Sequence, residues 1–268
     1  MIDRPGRGAI EMFDDFPGKV AIVAGGAGAM GASQVRKLHA DGARVVVADL
    51  NDAVGEGLEA ELGSECRYVH ADASSEADWA RVVDTAQSAY GGVDLLSNSF
   101  GIAPACPFDE LTLDEYMKTI LVNQIGVFLG MKAVCSPMIA QRSGAIVNFS
   151  SNSAILSQPF LTAYSASKAA VNAMTRSVAA EVGRYGIRVN TVSPGSVRSA
   201  LQTATQKAFA ESREGYDGRG MQSEKPLGRI GEPEELANMG LFLLSDASSY
   251  CTGGTFVVDG GSSSGRWP

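Results

Sequence analysis

The chain has few of the residues on which metal and disulfide chemistry depend. It holds two histidines, His39 and His70, and four cysteines, Cys66, Cys106, Cys135 and Cys251, with no C-x-x-C spacing. Donors this sparse give no metal-ligand cluster, and the cysteines read as structural thiols. Basic residues are also scarce: 22 Lys and Arg against 30 Asp and Glu leave a net charge of −8. That disfavours nucleic acid and anionic membrane surfaces as partners and favours solubility. No apolar run is expected to reach the roughly 18 residues that span a bilayer. The opening MIDRPGRGAIEMFDDF lacks the apolar core of a secretory signal, so a cytoplasmic location is the default expectation. What is present is ordinary globular material, 45% hydrophobic over 268 residues, enough for one domain with a sizeable core.

That domain is expected over residues 18–268, after an extension at 1–17 that carries Pro, Gly and mixed charge without periodicity. Val20 to Ala24 is a continuous β-prone run, suited to a strand buried on both faces. A glycine cluster follows, then a helix with Val35 and Leu38 on its apolar side, then a second apolar strand from Arg44 to Ala48. The alternation continues with strands at Cys66–His70, Leu95–Asn98, Ala145–Phe149, Arg188–Val192 and Thr255–Val258. Helices are expected at Ser75–Tyr90, Leu113–Ala140, Thr162–Arg184 and Pro233–Leu244. Strands and helices in this alternation imply an α/β fold, a doubly wound parallel sheet of about seven strands covered on both sides.

Ligands bind such sheets beyond the carboxyl ends of the strands, and the chemistry-bearing residues cluster there. Gly26-x-Gly28-x-x-Gly31 fits the glycine pattern that lets backbone approach a pyrophosphate at a helix N-terminus. Asp49 closes the second strand, where a carboxylate accepts hydrogen bonds from ribose hydroxyls and repels a 2′-phosphate; no Lys or Arg lies between Ala27 and Met30, and Leu50 and Asn51 follow. NAD is therefore favoured over NADP. Asp72 follows the third strand, Asn98 the fourth, Ser151 the fifth and Pro194-Gly195 the sixth. Tyr164 and Lys168 stand four apart, one turn along one helix face. An ammonium so placed is expected to lower the phenol pKa from its ordinary value near 10. With the Ser151 hydroxyl to hold a substrate oxygen, the set suits proton exchange with an alcohol or a carbonyl.

These residues together resemble the short-chain dehydrogenase/reductase family over about Gly18 to Gly261. The family's T-G-x-x-x-G-x-G aligns with Ala24 to Gly31, covering Gly25, Gly28, Ala29, Met30 and Gly31, with Ala24 in place of the threonine and Ala29 in place of the middle glycine. Its N-N-A-G aligns with Asn98-Ser99-Phe100-Gly101, where the larger Phe100 is expected to reshape the wall near the nicotinamide. The resemblance implies a Rossmann fold, NAD as cofactor, and a catalytic set of Asn123, Ser151, Tyr164 and Lys168. In that set Tyr164 exchanges the hydroxyl proton, Lys168 tunes Tyr164 and binds the nicotinamide ribose, Ser151 holds the substrate oxygen, and Asn123 positions a water. It further implies cofactor contacts at Asp49, Leu50, Asp72, Ala73, Ser99, Gly101, Pro194, Gly195, Val197 and Ser199, and a homotetramer.

Ser153–Thr162 and a lid at about 199–225, which includes Arg213 and Arg219, are expected to shape the substrate pocket. Ile155, Leu156, Pro159 and Phe160 would supply one apolar wall, and Ile102, Pro104 and Phe108 a third side. A mostly apolar pocket points to a neutral secondary alcohol or ketone, alicyclic or steroid-like. The alternatives are an NADPH-dependent ketoreductase and a non-catalytic dinucleotide-binding regulator.

Overall fold

Val20–Ala24 (β1) is apolar and buried at every position, which requires cover on both faces of the sheet. The same logic builds β2 (Arg44–Asp49), β4 (Leu95–Asn98), β5 (Gly144–Phe149) and β6 (Ile187–Pro194). The outer strands β3 (Cys66–His70) and β7 (Thr255–Val258) are only partly buried. The structure is a computed structural model that describes residues 15–212 and 226–264. Its seven strands pair in parallel in the order β3-β2-β1-β4-β5-β6-β7. The order reverses between β1 and β4, and that switch point opens a crevice at the carboxyl ends of the strands.

Helices cover both faces: α1 (Ala29–Ala40), α2 (Asp52–Leu62), α3 (Glu76–Tyr90), α4 (Leu113–Ile120), α5 (Gly126–Gln141), α6 (Thr162–Val182), α7 (Ala200–Ser212) and α8 (Pro233–Leu244). One core layer joins Trp79, Val82 and Ala86 of α3 to Val127, Met131 and Val134 of α5 and Val171 of α6. The other joins Val35 and Leu38 of α1 to Leu236, Leu241 and Leu244 of α8. Local chemistry sets the ends. Asn51 and Ser75 cap α2 and α3 by accepting from Val54 N and Asp78 N. Thr112 and Glu115 form a reciprocal capping box on α4.

The expected single helix Leu113–Ala140 is interrupted. Residues Leu121–Ile125 form a π turn between α4 and α5, centred on Asn123. The reason is local: the Asn123 side chain binds the backbone of Ile102, outside the helix, and single π turns accommodate such demands. The expectation that no run is apolar enough for a membrane also needs correction. An 18-residue window within Leu113–Gln141, with a mean hydropathy of 1.4, passes that test by length and composition. In the fold, Val127, Leu129, Met131, Val134 and Met138 of this stretch are buried in the core. At the N-terminus, Phe16 is fully buried and Gly18 N donates to Gly42 O, so packing begins inside the expected extension. The first half of the expected lid is helical as α7, while Arg213 and Arg219 lie outside the described residues.

Candidate active site

The loop after β1 is shaped by glycines that have no substitute. Gly25 sits at φ +74°, and a Cβ there would lie 2.8 Å from Phe100 N and Ser99 O. A Cβ on Gly31 would lie 2.0 Å from Gly25 O and 2.7 Å from Gly26 Cα, all rigid backbone. Gly31 therefore acts from behind the loop, letting α1 press against it. No side chain caps α1, whose N-cap is Gly28, so the first-turn N–H groups of Ala29 and Met30 remain for an anion. Ala29 is exposed and helical, so its methyl group does not intrude. The cradle fits a dinucleotide pyrophosphate.

Beside it, both oxygens of Asp49 are held by backbone: Oδ2 accepts from Ala27 N and Oδ1 from Asn51 N, each at 3.0 Å. Asp49 borders a cavity of ≈ 370 Å³ with Leu50, Asp72, Ala73, Gly101 and Ile102, the place for an adenosine moiety. Asp72 is fixed there by accepting from Ser74 N and Oγ. A continuous groove runs from Gly28 and Met30 past Ser99 and Gly101 to Tyr164, Lys168 and Ser199. Asn98 does not reach it: its buried amide donates instead to Asn148 Oδ1 at 2.8 Å and ties β4 to β5. Phe100 lines both the groove and the cavity, as expected of an enlarged wall residue. Its ring lies over Gly126, where a Cβ would sit 2.9 Å from Cε2, so the extra bulk is absorbed by a glycine on α5.

Tyr164 and Lys168 stand on the first turns of α6, one turn apart as expected. Lys168 Nζ is 6.0 Å from the Tyr164 ring centroid and donates to Phe149 O at 2.8 Å and Phe100 O at 3.2 Å. Burial with only carbonyl partners pushes its pKa down to about 8. The Tyr164 pKa moves opposite to expectation: desolvation in the crevice raises it, and the hydrogen bond from Ser151 opposes that rise. Desolvation of the phenolate is the larger of the two effects, and the Lys168 ammonium is held on backbone carbonyls. Ser151 is itself oriented by accepting from Ser153 N at 3.1 Å.

The Asn123 side chain is wholly engaged by protein. It exchanges hydrogen bonds with the Ile102 backbone, both at 2.8 Å, and donates to Ser167 Oγ at 3.1 Å. Ser167 donates in turn to Tyr164 O at 2.7 Å, so Asn123 clamps the loop after β4 to the Tyr164 turn. A Cβ on Gly101 would come within 3.1 Å of Asn123 Oδ1 and 3.2 Å of Lys168 Nζ. Glycine there lets the loop pass over both groups.

On the far side of Tyr164 a cleft is lined by Ser151, Leu161, Pro194, Gly195, Val197 and Ser199. Gly231 bonds to Ser196 O and Arg198 N, leaving Val197's own backbone groups outside that bridge. The apolar residues expected to line this cleft do not. Ile155, Leu156 and Phe108 are exposed, and Ile102 faces the adenosine cavity. The 3₁₀ turn Asn152–Ala154 and the left-handed backbone of Phe160 (φ 65°) turn Gln158 and Leu161 inward instead. Gln202 and Thr205 of α7 complete the wall, positions that periodicity did not mark.

A phosphate cradle, an acidic residue for a ribose and a Ser-Tyr-Lys set around one crevice define a nicotinamide-dinucleotide oxidoreductase. A family profile described as Enoyl-(Acyl carrier protein) reductase matches residues 25–263. The 3-alpha-(or 20-beta)-hydroxysteroid dehydrogenase of Mycobacterium tuberculosis is 41% identical over 92% of this chain and 90% of its own length. The NADP-dependent (R)-specific alcohol dehydrogenase of Lentilactobacillus kefiri is 38% identical over 93% of this chain and 98% of its own. Among solved structures, levodione reductase superposes with a TM-score of 0.87 at 30% identity, covering 93% of this chain and 99% of that one. The chain belongs to the short-chain dehydrogenase/reductase family.

Proposed function

We propose that this oxidoreductase interconverts a neutral secondary alcohol and its ketone, alicyclic or steroid-like, with NAD as cofactor and Tyr164 as acid/base. The carrying observation is the convergence of Ser151, Tyr164 and Lys168 where the dinucleotide groove meets the cleft. The bound dinucleotide supplies the hydride acceptor or donor. Glycines 25 and 28 and the start of α1 would hold its pyrophosphate, and Asp49 its ribose hydroxyls. The Ser151 hydroxyl holds the substrate oxygen beside Tyr164 Oη. In reduction the protonated phenol, favoured by its raised pKa, gives its proton to that oxygen. In oxidation Tyr164 Oη takes the proton, and the Lys168 ammonium, charged below about pH 8, stabilises the phenolate.

Preference for NAD rests on Asp49, whose carboxylate would repel a 2′-phosphate. The NADP reading has its own support: the (R)-specific relative is NADP-dependent, and Lys118 lines the adenosine cavity. Titration with both reduced cofactors separates the two, and tighter binding of NADPH would overturn the NAD reading. Tyr164→Phe is expected to lower kcat by about 10² to 10⁴ with cofactor affinity retained; an unchanged kcat would remove Tyr164 from the mechanism. Leu113, Met117, Leu121 and Phe128 form an exposed apolar stripe along α4 and α5. A second copy covering it, within a tetramer, is the natural occupant. Light scattering that shows a monomer would exclude this.

A further inference from the structure

The cleft beside Tyr164 has a polar feature that the proton chemistry does not use. Most of its polar side chains have partners within the protein. Ser150 Oγ donates to Lys168 O, Asn152 to Ser262 Oγ, Ser199 Oγ to Val197 O and Thr205 Oγ1 to Ala103 O. Two carboxamides differ. Gln158 Oε1, on the segment leading into α6, and Gln202 Nε2, on α7, are both buried and have no hydrogen-bond partner among the described residues. Both residues line the same cleft as Ser151 and Tyr164, among Leu161, Leu201 and Val197. An unpaired amide atom buried in apolar surroundings costs about 1–3 kcal/mol. Two of them, from separate elements and opposite in character, acceptor and donor, make a complementary pair.

We infer that Gln158 and Gln202 form a second recognition point, selecting substrates that carry a hydroxyl besides the one that reacts. This rests on the alcohol/ketone reading above. A hydroxyl is the group that satisfies both amides at once, donating to Gln158 Oε1 and accepting from Gln202 Nε2. A ketone or ether oxygen can only accept, and would leave Gln158 unpaired. The substrate class is therefore a cyclic diol and the product a hydroxyketone. The reacting carbinol loses a hydride to the oxidised nicotinamide dinucleotide and its hydroxyl proton to Tyr164, while the second hydroxyl is unchanged.

The test compares kcat/KM for cyclohexanol with that for the 1,2-, 1,3- and 1,4-cyclohexanediols. It uses wild type, Gln158→Leu, Gln202→Leu and the double variant, each with NAD and with NADP. One diol is expected to exceed cyclohexanol by about 10- to 100-fold in wild type, as a pocket with hydrogen-bonding groups discriminates against the analogue that lacks the partner. The ratio should fall in each single variant and to about 3 or less in the double variant, with melting temperature as the folding control. A wild-type ratio near 2, the statistical factor for two equivalent carbinols, or a ratio that survives the double substitution, would overturn the inference alone. No turnover of any alcohol with either cofactor would overturn the functional reading beneath it.

Discussion

Replacing Lys168 by methionine measures the electrostatic strain of the site. Lys168 is 3% exposed, and its ammonium is met by two backbone carbonyls, dipoles rather than a counter-charge. Burial alone takes its pKa from 10.5 to about 8. Unfolding restores the higher value. Between the two, the unfolded chain holds a proton that the folded chain has lost, so Lys168 makes stability rise with pH across that window. Its penalty is complete below about 8 and absent above about 10.5. The gap corresponds to about 3 kcal/mol. Methionine carries no charge to desolvate and fills a similar volume. The unfolding free energy of wild type minus that of Lys168→Met is therefore expected to climb by about 3 kcal/mol between pH 7 and 10.5. Urea unfolding at fixed protein concentration, followed by circular dichroism, reads each value. The subtraction cancels the tyrosine and cysteine titrations common to both proteins. A difference that stays flat across the window would refute the picture of a desolvated, uncompensated ammonium.

The glycines offer a paired test. Gly31→Ala puts a methyl 2.0 Å from Gly25 O and is expected to cost about 1–3 kcal/mol or more and to weaken NADH binding at least tenfold. Gly57→Ala, on the exposed face of α2 with nothing within 4 Å, should instead raise stability by about 0.5–1 kcal/mol. Equal effects in thermal melts would contradict the steric argument. Arg188 donates to Leu243 O, Leu244 O, Ser245 O and Ser248 Oγ at the end of α8. Arg188→Met should cost about 2–4 kcal/mol by stranding those acceptors. A loss below about 0.5 kcal/mol, the range of an ordinary surface substitution, would show that water replaces the guanidinium.

The site was legible in the sequence to the extent that it is built from local rules. Buried parallel strands are continuous apolar runs, so all seven could be located, and in an alternating α/β chain their carboxyl ends must converge. Gly25, Gly28, Asp49, Asp72, Ser151 and Pro194 lie at the carboxyl end of a strand or in the loop after it, and Tyr164 and Lys168 on the first two turns of α6. Position along the chain therefore foretold position in the crevice. Asn98 has the same local address, yet its amide nitrogen turns to Asn148 Oδ1 on the neighbouring strand, and its own Oδ1 is buried without a hydrogen-bond partner among the described residues. No pattern in one strand reveals that.

Sequence alone thus determined the fold, the loop that cradles phosphate and the spacing of Tyr164 and Lys168, because each depends on residues close in the chain. Tertiary structure decided the rest. The π turn at Asn123 follows from a hydrogen bond to Ile102, and the place of Phe100 from a glycine on α5. The raised phenol and lowered ammonium follow from desolvation by the whole crevice, which i, i+4 spacing does not reveal. The substrate cleft was the least legible part. Which side chains turn inward depends on a 3₁₀ turn, one left-handed residue and the docking of α7, so Gln158 and Gln202 came to line it while Ile155 and Leu156 face out.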